Sequence, residues 1–91
     1  MASRSQHRKI VDTERFEKER VELSRLVKRL DEALEGIDFR LKRRAESGFR
    51  LGPWLWATAA DLWDGQSIAV YYTFDDATVT RHSIRLERIV G

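Results

Sequence analysis

Cysteine is absent from this 91-residue chain. That excludes disulfide frameworks, thiolate zinc sites, iron–sulfur clusters and cysteine nucleophiles together. Proline occurs once and glycine five times, and there is no internal repeat or low-complexity tract. No apolar run approaches the roughly 18–20 residues that cross a bilayer, so no membrane association is expected. The start of the chain, through Arg8 and Lys9, is polar and basic, with no apolar stretch of the signal-peptide kind after it. A cytoplasmic protein is expected. Also missing are GxSxG, a P-loop, GxGxxG, HExxH and calcium-loop spacing. Asp61, Asp64, Asp75 and Asp76 read as turn chemistry rather than as ligands. These absences point to a non-enzymatic protein without metal or cofactor. The net charge is only +2.

What is present is a chain of one domain's length, 35% charged and 42% hydrophobic, which suits a folded domain with a modest core. Its charge is unevenly placed. Residues 1–50 hold 14 of the 17 basic side chains, whereas all three tryptophans and both tyrosines follow residue 50. Two structural layers are implied. The fold expected is α+β: a basic disordered tail over 1–11, one long amphipathic helix over 12–36, and a small antiparallel SH3-like β-barrel or meander of four to five strands over 37–91.

The helix rests on Phe16, Leu23, Leu26, Val27, Leu30, Ala33, Leu34 and Ile37, spaced by three, four and seven. Asp12 or Thr13 can cap it, Glu14 and Glu17 suit its first turn, and Gly36 suits its end. Phe16, Leu23, Leu30 and Ile37 fall seven apart with Leu26 between them, a short heptad seam through which a homodimer or higher oligomer could form. The alternative is that the stripe covers a sheet. Ile37, Phe39 and Leu41 then alternate as a strand would, although the helical stripe can also run on through Leu41 and Ala45.

Glu46-Ser47-Gly48 reads as a turn, and Asp64-Gly65 is the strongest hairpin signal in the chain. The strand after it, Ile68 to Phe74, implies a strand before it, over 54–63. Asp75-Asp76-Ala77 makes the next turn, and Ser83 to Leu86 reads as a short 3₁₀ segment. Pairing residue 72 with 80 and 68 with 84 keeps apolar side chains on one face.

The run from Trp56 to Gly65, then Ile68 to Asp76, then Arg81-His82 and Ile84 to Ile89, resembles a Tudor/Agenet-type domain. That resemblance implies a barrel that binds peptides in an aromatic cage, with Tyr72 and Phe74 at cage-like positions. Ser47-Gly48, Phe49-Arg50-Leu51 and Arg81-His82-Ser83-Ile84 are similar to elements of the Sm/Hfq-like fold. That likeness implies RNA-binding rings in which Arg81 and His82 face the RNA.

Both resemblances imply binding. Trp54 and Trp56, on one strand face with Tyr71 and Tyr72 nearby, form a candidate aromatic contact surface. Arg40, Lys42, Arg43 and Arg44 form a candidate basic edge. A macromolecular partner is expected, a protein first and RNA or single-stranded nucleic acid second. A compact chain of this kind would also suit a stand-alone inhibitor or adaptor of the sort that phages and mobile elements carry.

Overall fold

The structure, a computed structural model, describes residues 7–62 and 65–88. The first six residues, Trp63, Asp64 and the closing Ile89, Val90 and Gly91 lie outside them. The elements run β1 (Lys9–Asp12), α1 (Glu14–Ser24), α2 (Leu30–Arg44), a 3₁₀ turn (Ala45–Ser47), β2 (Phe49–Arg50), β3 (Trp56–Asp61), β4 (Gln66–Phe74) and β5 (Thr78–Arg88). The fold is α+β, as the sequence implies. Its sheet is open and mixed, not a barrel: the order is β1-β5-β4-β3-β2, with β1 parallel to β5 and every other pair antiparallel.

The single long helix over 12–36 is not what forms. Thr13 caps α1 by accepting from the Phe16 amide at 3.1 Å, but the chain leaves the helix after Ser24 and re-enters at Leu30. Arg29, at φ 65, takes the left-handed conformation just before the second helix begins. A left-handed arginine costs about 1–2 kcal/mol, and neither glycine nor proline signals the break. What offsets it is burial. A straight helix of 24 residues would be about 36 Å long and would overshoot the sheet, whereas the bend lets Phe16, Val27, Leu30, Leu34, Ile37 and Leu41 join one core. Ile37 and Leu41 belong to α2, so the strand alternation there is superseded by the helical period, and Gly36 sits inside α2 rather than at its end. Residues 9–11, expected in the tail, form part of β1.

On the sheet side the core takes Ile68, Val70, Tyr72, Val79 and Ile84, with Trp56, Ala60, Phe74 and Leu86 packed at its margin. β3 forms over 56–61, inside the expected strand, and β5 runs through Ser83–Leu86 without a 3₁₀ break. The β4–β5 register differs from the expected one. Tyr72 faces Arg81, Val70 faces Ile84 and Ile68 faces Leu86, with a bulge between Tyr71 and Tyr72. Asp75 explains the offset near the turn: its carboxylate accepts from the amides of Ala77 and Thr78, both at 2.8 Å, and so holds a longer loop. Those two bonds also keep its carboxyl below the usual value.

β1 pairs only with residues 78–81 of β5. Beyond them α1 covers the strand's edge. The Glu19 carboxylate accepts from the Ser83 hydroxyl at 2.8 Å and from the Ile84 amide at 3.0 Å. Burial works to raise the Glu19 carboxyl, but Ser83, Ile84 and Arg15 together hold it below the usual value. A lowered native pKa gives stability that is present above the unfolded value and lost as pH falls through the native one. Glu19→Ala is therefore expected to cost about 1–2 kcal/mol at neutral pH and to flatten the acid limb of a stability–pH curve measured by urea unfolding.

Candidate functional site

The connection from β2 to β3 gathers exposed apolar side chains that the core cannot take. Phe49 is 73% exposed, Leu51 54% and Trp54 78%, with Leu55 beside them. The segment is nonetheless fixed. The Leu51 amide donates to the Leu55 carbonyl at 2.8 Å, closing the loop. Arg50 reaches over it, donating to the carbonyls of Gly52 at 3.1 Å and Pro53 at 3.4 Å. Phe49 and Arg50 pair with Ala57 and Trp56. The result is a braced hairpin tip carrying an outward indole.

Its base is set by Gly48. A Cβ there would stand 2.6 Å from the Ala57 carbonyl oxygen and still closer to the Tyr72 hydroxyl. Tyr72 is fully buried and donates to the Ala45 carbonyl at 2.5 Å. Burial pushes its phenol above the usual value. The turn that launches β2 is therefore pinned to the middle of the sheet.

The residues singled out from sequence are scattered by this fold. Trp54 is displayed but lies before β3, so it shares no strand face with Trp56. Trp56 pairs with Tyr72, not Tyr71, and packs edge-on against Phe74 with ring centroids 5.3 Å apart. Phe74 is half-buried under Arg8, whose guanidinium lies 5.1 Å from the ring centroid. With Tyr72 in the core and Phe74 covered, the two do not form an open cage. Tyr71 is half-buried between Ala57 of β3 and Ser83 of β5.

Arg81 is buried and bound to Asp12 and Asp38. His82 is half-buried with its Nε2 2.9 Å from the Thr73 hydroxyl. The pair is therefore not turned jointly outward toward a nucleic acid. Helical period splits the basic edge as well. Arg40 reaches the β3 edge, donating to the Ala59 carbonyl at 3.0 Å. Arg43 stacks on the exposed Phe39, 4.3 Å from its centroid. Lys42 lies toward β1, where its carbonyl accepts from the Arg8 amide at 3.0 Å. Arg44, exposed, ends α2. Of the heptad seam, Phe16, Leu30 and Ile37 are core, Leu23 packs at its margin, and Leu26 alone is well exposed. The stripe is spent inside the chain.

Sequence reading missed Phe49, Leu51 and Leu55. The available signal was an apolar run wrapped around the single Gly-Pro, because a tight loop has no interior in which to hide such side chains.

No group of three or more potential metal-ligating side chains occurs among the described residues, and no described helix is long and apolar enough to cross a membrane. No family model, curated protein or solved structure matches the chain. The Tudor-like and Sm-like resemblances rest on the quoted residues alone.

Proposed function

We propose that this protein is a non-catalytic protein-binding module and that the hairpin tip of Phe49, Leu51, Trp54 and Leu55 is its contact surface. The observation that carries the reading is the exposure of Trp54 on a braced loop. Tryptophan and arginine are the side chains that most often anchor interfaces, and a loop already fixed loses little entropy on docking. A protruding indole with Arg50 at its base fits a concave apolar pocket with an acidic rim. Plugging such a pocket is how a small inhibitor or adaptor would act.

Trp54→Ala is expected to leave the urea midpoint within experimental error of wild type, since most of the side chain is exposed. It should weaken partner binding by about 30-fold or more, the equivalent of a hot-spot loss of about 2 kcal/mol. Affinity capture from the native host, followed by calorimetry on the captured protein with both variants, reads this. Equal affinity for wild type and variant would overturn it, as would unfolding of the variant.

Nucleic-acid binding is the alternative. It would draw on Arg40, Arg43, Arg44 and Phe39, and its signature would be a steep fall of affinity with salt on a short single-stranded RNA.

A further inference from the structure

We infer that the free edge of β3 is the interface of a symmetric homodimer, a surface separate from the hairpin tip. β2 covers β3 only at Trp56 and Ala57. From Thr58 to Asp61 no described strand lies beside it on that side.

The direction of the free backbone groups follows from the hydrogen bonds on either side. Leu55 accepts from Leu51 on the outer edge, while the Leu62 amide donates to Gln66 on the inner one. Alternation along the strand then turns the amide and carbonyl of Ala59 and of Asp61 outward. Arg40, bonded to the Ala59 carbonyl from outside, has the same sense. An open row of this kind is a template for another strand.

A second copy of the chain completes it through a two-fold axis at Ala60. Antiparallel pairing then sets Ala59 opposite the partner's Asp61 and Asp61 opposite the partner's Ala59. Both members of each pair point outward, so each pair exchanges two backbone hydrogen bonds. The Ala59 carbonyl has a second lone pair for this bond.

An isologous interface must also match itself in charge. Here the edge has a positive end, where Arg40 bonds the Ala59 carbonyl, and a negative end at Asp61, the nearby Glu32 being paired with Arg29 at 3.5 Å. The two-fold axis lays each positive end on the other copy's negative end. Room exists for the incoming arginine: a cavity of about 440 Å³ opens at the negative end, lined by Arg29, Glu32, Ala33, Asp61 and Leu62. Ala33 and Gly36, on the α2 flank above the edge, add little bulk. A Cβ on Gly36 would meet nothing within 4 Å.

Light scattering and sedimentation equilibrium on the full chain test this. Wild type should show twice the 10.7 kDa chain mass. Arg40→Glu and Asp61→Arg, each folded by circular dichroism, should each weaken self-association by at least about tenfold. Mixing the two single variants should restore a dimer, because every cross-axis contact is then an opposite-charge pair. Ala59→Pro removes an outward amide without touching the β4 ladder and should also give single-chain mass. A wild type of single-chain mass throughout the concentration range overturns the proposal, even if a foreign acidic strand binds there instead. So does failure of the mixed variants to associate. Neither result bears on Trp54.

Discussion

Arg81→Met is expected to lower the free energy of unfolding by about 3–5 kcal/mol, the usual consequence of stripping one partner from a buried ion pair. Arg81 Nε donates to Asp12 Oδ1 at 2.6 Å and Nη2 to Asp12 Oδ2 at 2.9 Å, while Nη1 donates to Asp38. Its guanidinium lies 4.6 Å from the centroid of the buried Phe16 ring. These contacts tie β1, β5 and α2 at one point. Without the guanidinium, two carboxylates are left close together in a partly dry space. Burial already pushes the Asp38 carboxyl above the usual value, against the pull of Arg81 and with help from the Asp12 charge.

The pH dependence follows. A carboxyl whose native pKa is raised contributes stability that is fully present below the unfolded value and lost as pH rises through the native one. Removing Arg81 raises Asp38 further, so the variant should regain part of its loss as pH falls toward the carboxylate range. Urea unfolding at neutral and acidic pH reads both effects. Adding Asp12→Asn and Asp38→Asn should recover most of the deficit, since an apolar and neutral cluster leaves no stranded charge. A deficit under about 1 kcal/mol would mean that the triad is a surface feature, worth what exposed pairs are worth.

Gly48→Ala should be damaging too, at about 1–3 kcal/mol from overpacking. The new methyl group would press on the Tyr72 hydroxyl and the Ala57 carbonyl, and neither can retreat. Tyr72 is held by its bond to Ala45 and by full burial, and Ala57 is held in the ladder. Tyr72→Phe alone should cost about 1 kcal/mol or somewhat more, for a lost buried hydrogen bond. In the double variant the obstructing hydroxyl is gone, so the combined loss should fall short of the sum, a coupling that a double-mutant cycle measures. Strict additivity would show that the alanine clashes elsewhere. Because the Gly48 turn aims β2, the alanine variant should also weaken partner capture through Trp54, whereas Tyr72→Phe should not.

Much of the secondary structure is legible in the sequence. Period-two alternation in Ile68–Phe74 and the Gly65 turn locate β4, Gly65 taking φ 80 as such a turn requires. The Thr13 cap and the acidic first turn locate the start of α1. The site is less legible. Trp54 is named by its type, but its neighbours Phe49, Leu51 and Leu55 look like ordinary strand residues until the loop is seen to have no cover. Arg81 reads as a cation in an alternating strand, because nothing local says that a longer Asp75 turn and a bulge will slide it beneath α1. A shift of one residue in register moves a side chain to the opposite face.

By itself, then, the sequence determined composition-level and local facts: an α+β chain, a helical apolar stripe, a central β-hairpin, and no cysteine chemistry. Only the tertiary structure decided that the stripe breaks between Ser24 and Leu30, that β1 joins β5 in parallel, that Arg81 is interior, and that no described strand covers β3 beyond Ala57. The physical reason is range. Caps, turns and periodicity act over a few residues and are written in their types. Register, the helix break and edge exposure depend on contacts between segments as distant as Asp12 and Arg81, where small burial gains outweigh local preference.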